Sequence, residues 1–377
     1  MSDSGKPRQL ALLFGEMFAI ALFVVGGGLA ILAVADDVFS RRRKWTKDGE
    51  LLEQLPLFQM VPGLIAAHTA VYIGRKVAGP LGSIVALAAV ALPSLVIFLT
   101  VSRYYAELPL DSPWLVGAFL GLRSALTGVI LATIVRTFRK NVRGAYGAIA
   151  LALTTTALLA LHANAAAVLL AAAAVGLSFH LIRTAPPRAC RTFRSIAVLP
   201  LIFVKYGLLC FGGGYVLMPM YIDDFIGPAA PYLQIAAEEF SNITSLTQIT
   251  PGPIGVNAAT FFGYRMGGVP GAVVATACIL LPGFVLMTLA LKSVERFSSS
   301  RIVQGILFGI RPAATALMVS ALLSFAGMSV WNAGDSAFAI NPLALAIAVL
   351  TAAAVYTKRL GIMTTVVTAA AVGALCR

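Results

Sequence analysis

The chain has 377 residues, 59% hydrophobic and 11% charged, with a mean hydropathy of +0.90 and a formal net charge of +13. That is more apolar surface than one water-soluble core of this length hides, and it recurs in long runs, which excludes a soluble globular domain. The runs are Ala- and Leu-rich rather than alternating, so the expected class is an all-α polytopic membrane protein and not an outer-membrane barrel.

The first apolar run begins near Leu10. Lys6 and Arg8 precede it and Ala33-Val34-Ala35 ends it, the outline of a cleaved signal peptide; its counterpart inside the chain argues instead for a first span. A spanning helix needs roughly 20 apolar residues. Further runs of that kind begin near Gly82, Trp114, Gly144, Ala165, Val198, Gly271, Ile302, Asn341 and Leu360, ten in all. The cysteines, Cys190, Cys210, Cys278 and Cys376, lie far apart without CxxC spacing, so neither a metal site nor a disulfide framework is expected, and no cofactor.

The chain repeats itself. VVGGGL (24–29) aligns with CFGGGY (210–215), and QMVPGLIAAHTAVYIGRKVAGPLG (59–82) aligns without a gap with QITPGPIGVNAATFFGYRMGGVPG (248–271), a register that holds to Pro93 over Pro282. GAFLGLR (117–123) then matches GILFGIR (305–311). The expected organisation is two homologous repeats, 1–184 and 198–377, joined by a basic Pro/Arg-rich linker at 185–197.

Charge orients the repeats. The loop after the first glycine motif carries Arg41, Arg42, Arg43, Lys44 and Lys47, while its counterpart carries no Lys or Arg, so by the positive-inside rule the two repeats are inverted. Inversion requires an odd number of spans per repeat. Five spans each satisfy it if the Pro-Gly segments 59–75 and 248–264 are re-entrant, and the basic residues then gather on the cytoplasmic face, where anionic lipid rather than nucleic acid explains the net charge.

Pro62, Gly63, Pro251, Gly252, Pro253 and Gly255 interrupt these segments. Proline removes an N–H and breaks a helix, and free backbone groups are tolerated at membrane depth only where protein or water lines them. A short helix starting at Pro253 would aim unpaired N–H groups and the positive end of its dipole at a cavity, which attracts anions. A packed structural kink is the plainer alternative. Inverted repeats with broken helices are the plan of secondary transporters.

Arg123 and Arg311 occupy matching places in apolar runs, where a guanidinium must find an anion, carbonyls or water. Paired N–H donors suit tetrahedral oxyanions. Snorkelling to headgroups, or pairing with Asp37 and Asp223, is the alternative. Gln248, Thr250, Asn257 and His68 are further candidates to line the site, as donors to oxyanion oxygens or as interhelical glue. Glu16 is a candidate for proton coupling, and Lys205 stands early in the corresponding span of the second repeat. Gly26, Gly27, Gly28 and Gly212, Gly213, Gly214 lack the P-loop signature and are expected to serve close packing. No carboxylate pair or nucleophile motif suggests an enzyme.

FGGGY (211–215), QITPGP (248–253) and GIRP (309–312), with the two-repeat plan, resemble the chromate ion transporter family over nearly the whole chain. Where that family usually has FGGP and LPGP in its first half, this chain has VGGGL and VPGLI, so the resemblance implies an altered first site. It also implies multi-pass residence in the bacterial inner membrane and efflux of chromate driven by the proton-motive force, giving resistance, with sulfate as a structural analogue. A passive anion channel shares the arginines and dipoles and stays open as the alternative. A homodimer is a further expectation.

Overall fold

The computed structural model describes residues 6–24, 28–109, 112–142, 144–159, 164–178, 199–211, 214–226, 230, 232–292, 301–332, 339–357 and 362–376. The linker expected at 185–197 lies outside the described residues. In chain order the helices are α1 (Lys6–Phe23), α2 (Gly28–Asp36), α3 (Glu50–Glu53), α4 (Leu55–Met60), α5 (Ile65–Tyr104), α6 (Pro113–Asn141), α7 (Gly144–Leu159) and α8 (Ala165–Ser178). They continue as α9 (Leu199–Leu209), α10 (Met218–Phe225), α11 (Ala237–Ile249), α12 (Ile254–Lys292), α13 (Arg301–Ser329), α14 (Pro342–Tyr356) and α15 (Ile362–Leu375). A two-residue antiparallel pair, Trp331–Asn332 with Ala339–Ile340, is the one ladder among the described residues.

Among the described residues, four helices are long and apolar enough to cross a membrane: Ile65–Tyr104, Pro113–Val135, Ile254–Leu291 and Ile302–Ser329. The expected runs beginning near Gly144, Ala165, Val198, Asn341 and Leu360 appear as α7, α8, α9, α14 and α15, of 11 to 16 residues.

The chain divides into two compact units, and each takes segments from both sequence repeats. The first comprises Met1–Ala106, Ser195–Gly214 and Thr250–Val303; the second comprises Glu107–Arg194, Tyr215–Ile249 and Gln304–Arg377. In the first unit α1 packs on α5, α9 on α12, and α5 on α12. Its core gathers Leu13, Met17, Phe39, Phe58, Val71 and Met287. In the second unit α6 packs on α14 and α15, where Gly117 and Gly373 meet so closely that a Cβ on either would overlap the other backbone.

Both α5 and α12 are two helices joined by one sharp reversal. Ala78 (φ −141, ψ 25) and Gly79 (φ 66, ψ −150) make the first turn; Gly267 (φ −151, ψ 23) and Gly268 (φ 61, ψ −150) make the second. Positive φ with ψ near −150° is a conformation open essentially to glycine. The arms fold back in contact: Ser83 Oγ donates to the Val71 carbonyl at 2.9 Å in the first hairpin, and the Thr260 and Thr276 hydroxyls lie 2.7 Å apart in the second. Thirteen-residue first arms, 65–77 and 254–266, reach only about 20 Å. Beyond the turns, Leu81, Ile84, Val96, Val269, Leu281 and Leu289 are exposed, an apolar surface that suits lipid and not water.

Candidate functional site

Each hairpin is entered through a broken helix. In the first repeat α4 ends at Met60, Val61 and Leu64 are extended, and α5 begins at Ile65. In the second, α11 ends at Ile249 and α12 begins at Ile254, one residue beyond the start expected at Pro253. Pro253 turns its carbonyl into the helix, accepting from the N–H groups of Val256 (2.9 Å) and Asn257 (3.0 Å). The N–H groups of Ile254 and Gly255 have no helical carbonyl four residues back, as at any helix start. Gly63 (φ 128) and Gly252 (φ 103) hold the positive-φ bends of the two breaks.

The two breaks sit in corresponding surroundings within the first unit. A Cβ on Gly63 would meet Gly283 Cα at 2.8 Å and His68 Nε2 at 2.7 Å; a Cβ on Gly252 would overlap Ser94 Oγ and lie 3.3 Å from Asn257 Oδ1. Gly63 and Gly252 share one register, as do Ser94 and Gly283 (each following the aligned prolines Pro93 and Pro282) and His68 and Asn257. The glycine motifs take part in the same way. Gly28 would press a Cβ to 2.9 Å from Ile65 Cβ, and Gly214 to 3.0 Å from the Gly255 nitrogen, so each third glycine lets the chain approach the start of its own repeat's helix. Gly26, Gly27, Gly212 and Gly213 lie outside the described residues.

His68 and Asn257 are fully buried and turn back on their own breaks. His68 Nδ1 lies 2.9 Å from the Phe58 carbonyl and Nε2 3.2 Å from that of Pro62. Asn257 Nδ2 donates to the carbonyls of Thr250 and Pro251, each at 3.4 Å. A neutral imidazole donates from one nitrogen only, whereas an amide –NH2 serves two acceptors. The breaks also differ in their N–H groups: that of Gly63 donates to the Cys210 carbonyl at 2.8 Å, and the Gly252 N–H makes no such bond among the described residues.

In the second unit, Gln248 is buried. Its Oε1 accepts from the Tyr215 hydroxyl at 2.6 Å and its Nε2 makes no hydrogen bond among the described residues. Arg123 is 8% exposed; its Nε donates to the Phe119 carbonyl (3.3 Å) and its Nη2 to Glu238 Oε1 (2.9 Å). Arg311 has an exposed side chain, and its carbonyl accepts from Thr315 Oγ1. Asp223 Oδ2 accepts from the Ala165 N–H at 3.0 Å, capping α8.

The remaining candidates are held by local partners. Asp37 pairs with Arg41 and Arg42, Glu16 with Arg43, and Lys205 Nζ stands 5.0 Å over the Tyr206 ring. At the start of α3, before the first break, burial pushes the Glu50 carboxyl up; hydrogen bonds from Lys76, Tyr72 and the Lys47 N–H, with the Lys76 charge, outweigh it and leave Glu50 below its ordinary value.

Sequence reasoning passed over Ser94, Gly283, Tyr215 and Glu238. Ser94 and Gly283 carry a signal, since they follow aligned prolines in the repeat. Glu238 carries none, being 115 positions from Arg123.

Comparison with known proteins places this architecture. The family model described as "Chromate transporter" matches residues 11–177 and 198–374. The chain is 24% identical to the chromate transport protein of Cupriavidus metallidurans, with 90% of this chain and 87% of that one aligned. It is 25% identical to that of Pseudomonas aeruginosa (87% and 86%), and 24% identical to an uncharacterized transporter of Methanocaldococcus jannaschii (88% of each). No solved structure matches it. With the family model covering nearly its whole length and four membrane-length apolar helices among its described residues, this multi-pass membrane protein belongs to the chromate transporter family.

Proposed function

We propose that the chain is a secondary active transporter that carries chromate, or a related tetrahedral oxyanion such as sulfate, across the bacterial inner membrane. It works as an exporter coupled to the proton gradient and so confers chromate resistance. The carrying observation is the broken helix before the second hairpin, Pro251–Pro253, which leaves the first N–H groups of a 13-residue helix arm at a buried position of the first unit. Chromate enters the reading from the names of the relatives.

The two repeats, 1–184 and 198–377, are inverted, each with a re-entrant Pro-Gly segment. Support comes from the basic loop at Arg41–Lys47, which has no basic counterpart in the second repeat, and from hairpin arms of about 20 Å that turn back at Gly79 and Gly268. The anion is held at the second break by the N–H groups of Gly252, Ile254 and Gly255, with Thr250 and Asn257 beside it. The Gly63 N–H of the first break is already spent on Cys210. Arg123, Arg311 and Gln248 belong to the second unit and act on the anion's route there.

The test is chromate uptake into inside-out membrane vesicles with and without a proton gradient, comparing wild type with Arg311→Gln and Arg42→Gln. Gradient-dependent uptake, lost in Arg311→Gln and kept in Arg42→Gln, is the expected result. Uptake that follows the anion's own gradient and ignores the proton gradient marks a channel; equal effects of the two substitutions remove Arg311 from the route.

A further inference from the structure

Ser94 is fully buried, and its Oγ makes no hydrogen bond among the described residues. Several helical hydroxyls of this fold relieve that cost by donating to the carbonyl one turn back, Thr69 to Ile65, Ser124 to Leu120, Thr260 to Val256 and Ser329 to Phe325, while those of Ser102, Ser241 and Thr288, like Ser94, make no hydrogen bond among the described residues. The Ser94 hydroxyl is instead aimed at the second break, against Gly252, which approaches so closely that any Cβ there would overlap the oxygen.

Close approach alone does not call for serine. The corresponding contact in the other repeat is made by Gly283 against Gly63, so the packing is satisfied with no side chain at all. Glycine or alanine at 94 would fill the same role without burying an unpaired polar group, whose desolvation is otherwise uncompensated. What sets Ser94 apart from the other unpaired hydroxyls is that it faces a helix break, where a partner seated at that break would relieve the cost. It lies beside the start of a 13-residue helix arm (254–266), where free N–H groups favour negative charge.

The geometry points to Ser94 as an anion-binding residue: its Oγ–H donates to an oxygen of a tetrahedral oxyanion seated on the N–H groups of Gly252, Ile254 and Gly255. This rests on the reading of the second break as the substrate site and adds a side-chain donor to it. The contact of Ser94 with Gly252 closes the hydroxyl from solvent, so the anion reaches it when the 80–104 arm of α5 and the start of α12 separate. The two breaks are then unequal. The first has His68 over its glycine and Gly283 where the second has Ser94, and it offers no hydroxyl.

The experiment uses the full chain in inside-out vesicles and in detergent. Initial rates of chromate uptake are measured for wild type, Ser94→Ala and Ser94→Cys, and the thermal shift of each purified protein is measured with chromate, sulfate, molybdate and phosphate. We expect Ser94→Ala to fold with an unchanged or higher Tm, because it loses an unpaired buried hydroxyl, and to raise KM for chromate about tenfold with Vmax little altered. Ser94→Cys, a weak donor of similar size, should fall between. An unchanged KM and an unchanged oxyanion-induced shift in Ser94→Ala overturn the assignment. If wild-type vesicles take up no chromate but another oxyanion shifts Tm and Ser94→Ala abolishes that shift, the chromate reading falls and Ser94 stands. If no oxyanion is taken up or shifts the wild type, both fall.

Discussion

His68 and Asn257 occupy one register of the two repeats and do one job: each returns its side chain to carbonyls left open where its helix breaks, His68 to Phe58 and Pro62, Asn257 to Thr250 and Pro251. A buried carbonyl without a donor costs about 1–3 kcal/mol. These side chains are thus staples of the break.

His68→Asn should therefore be tolerated, since the second repeat already uses an amide there. His68→Leu, of similar size without a donor, should destabilise by about 1–3 kcal/mol. Thermal unfolding of the purified variants in detergent checks this; equal Tm values for the two would show that the ring serves packing alone.

Gly79→Ala and Gly268→Ala should each cost about 1–3 kcal/mol although a Cβ meets nothing within 4 Å at either position. The cause is backbone strain at φ 66 and φ 61. Similar losses of Tm at both sites are expected. No loss would mean that the reversals accept another conformation.

Glu238→Gln should destabilise by about 1 kcal/mol, and less at high salt. It weakens the charge-assisted bond to the buried Arg123, but the Glu238 side chain is 67% exposed and its charge is screened. A Tm that does not respond to the substitution at any ionic strength would show that solvent already satisfies Arg123.

The depressed Glu50 carboxyl makes stability depend on pH. Between its folded value and the ordinary carboxylate value near 4.5 the unfolded chain binds more protons, so stability rises with pH through that window and is lost as pH falls through it. Glu50→Gln should flatten this slope. An acid unfolding profile that matches wild type would remove Glu50 from the linkage.

Much of this protein is written locally. Long Ala/Leu runs dictate helices, Pro62 and Pro251 dictate breaks, and aligned motifs declare a repeat, because each depends on a few neighbouring residues. Where the apolar runs reverse was less legible: the turns at Gly79 and Gly268 are single glycine conformations inside continuous hydropathy.

Pairing was decided by tertiary structure alone. Arg123 receives Glu238 from a helix far along the chain, the Gly63 N–H donates to the Cys210 carbonyl, and each compact unit draws on both repeats. Ser94 meets Gly252 for the same reason. A repeat specifies which positions correspond, but which partners touch is set by how helices of different repeats pack, and that contact energy appears in no local stretch of sequence.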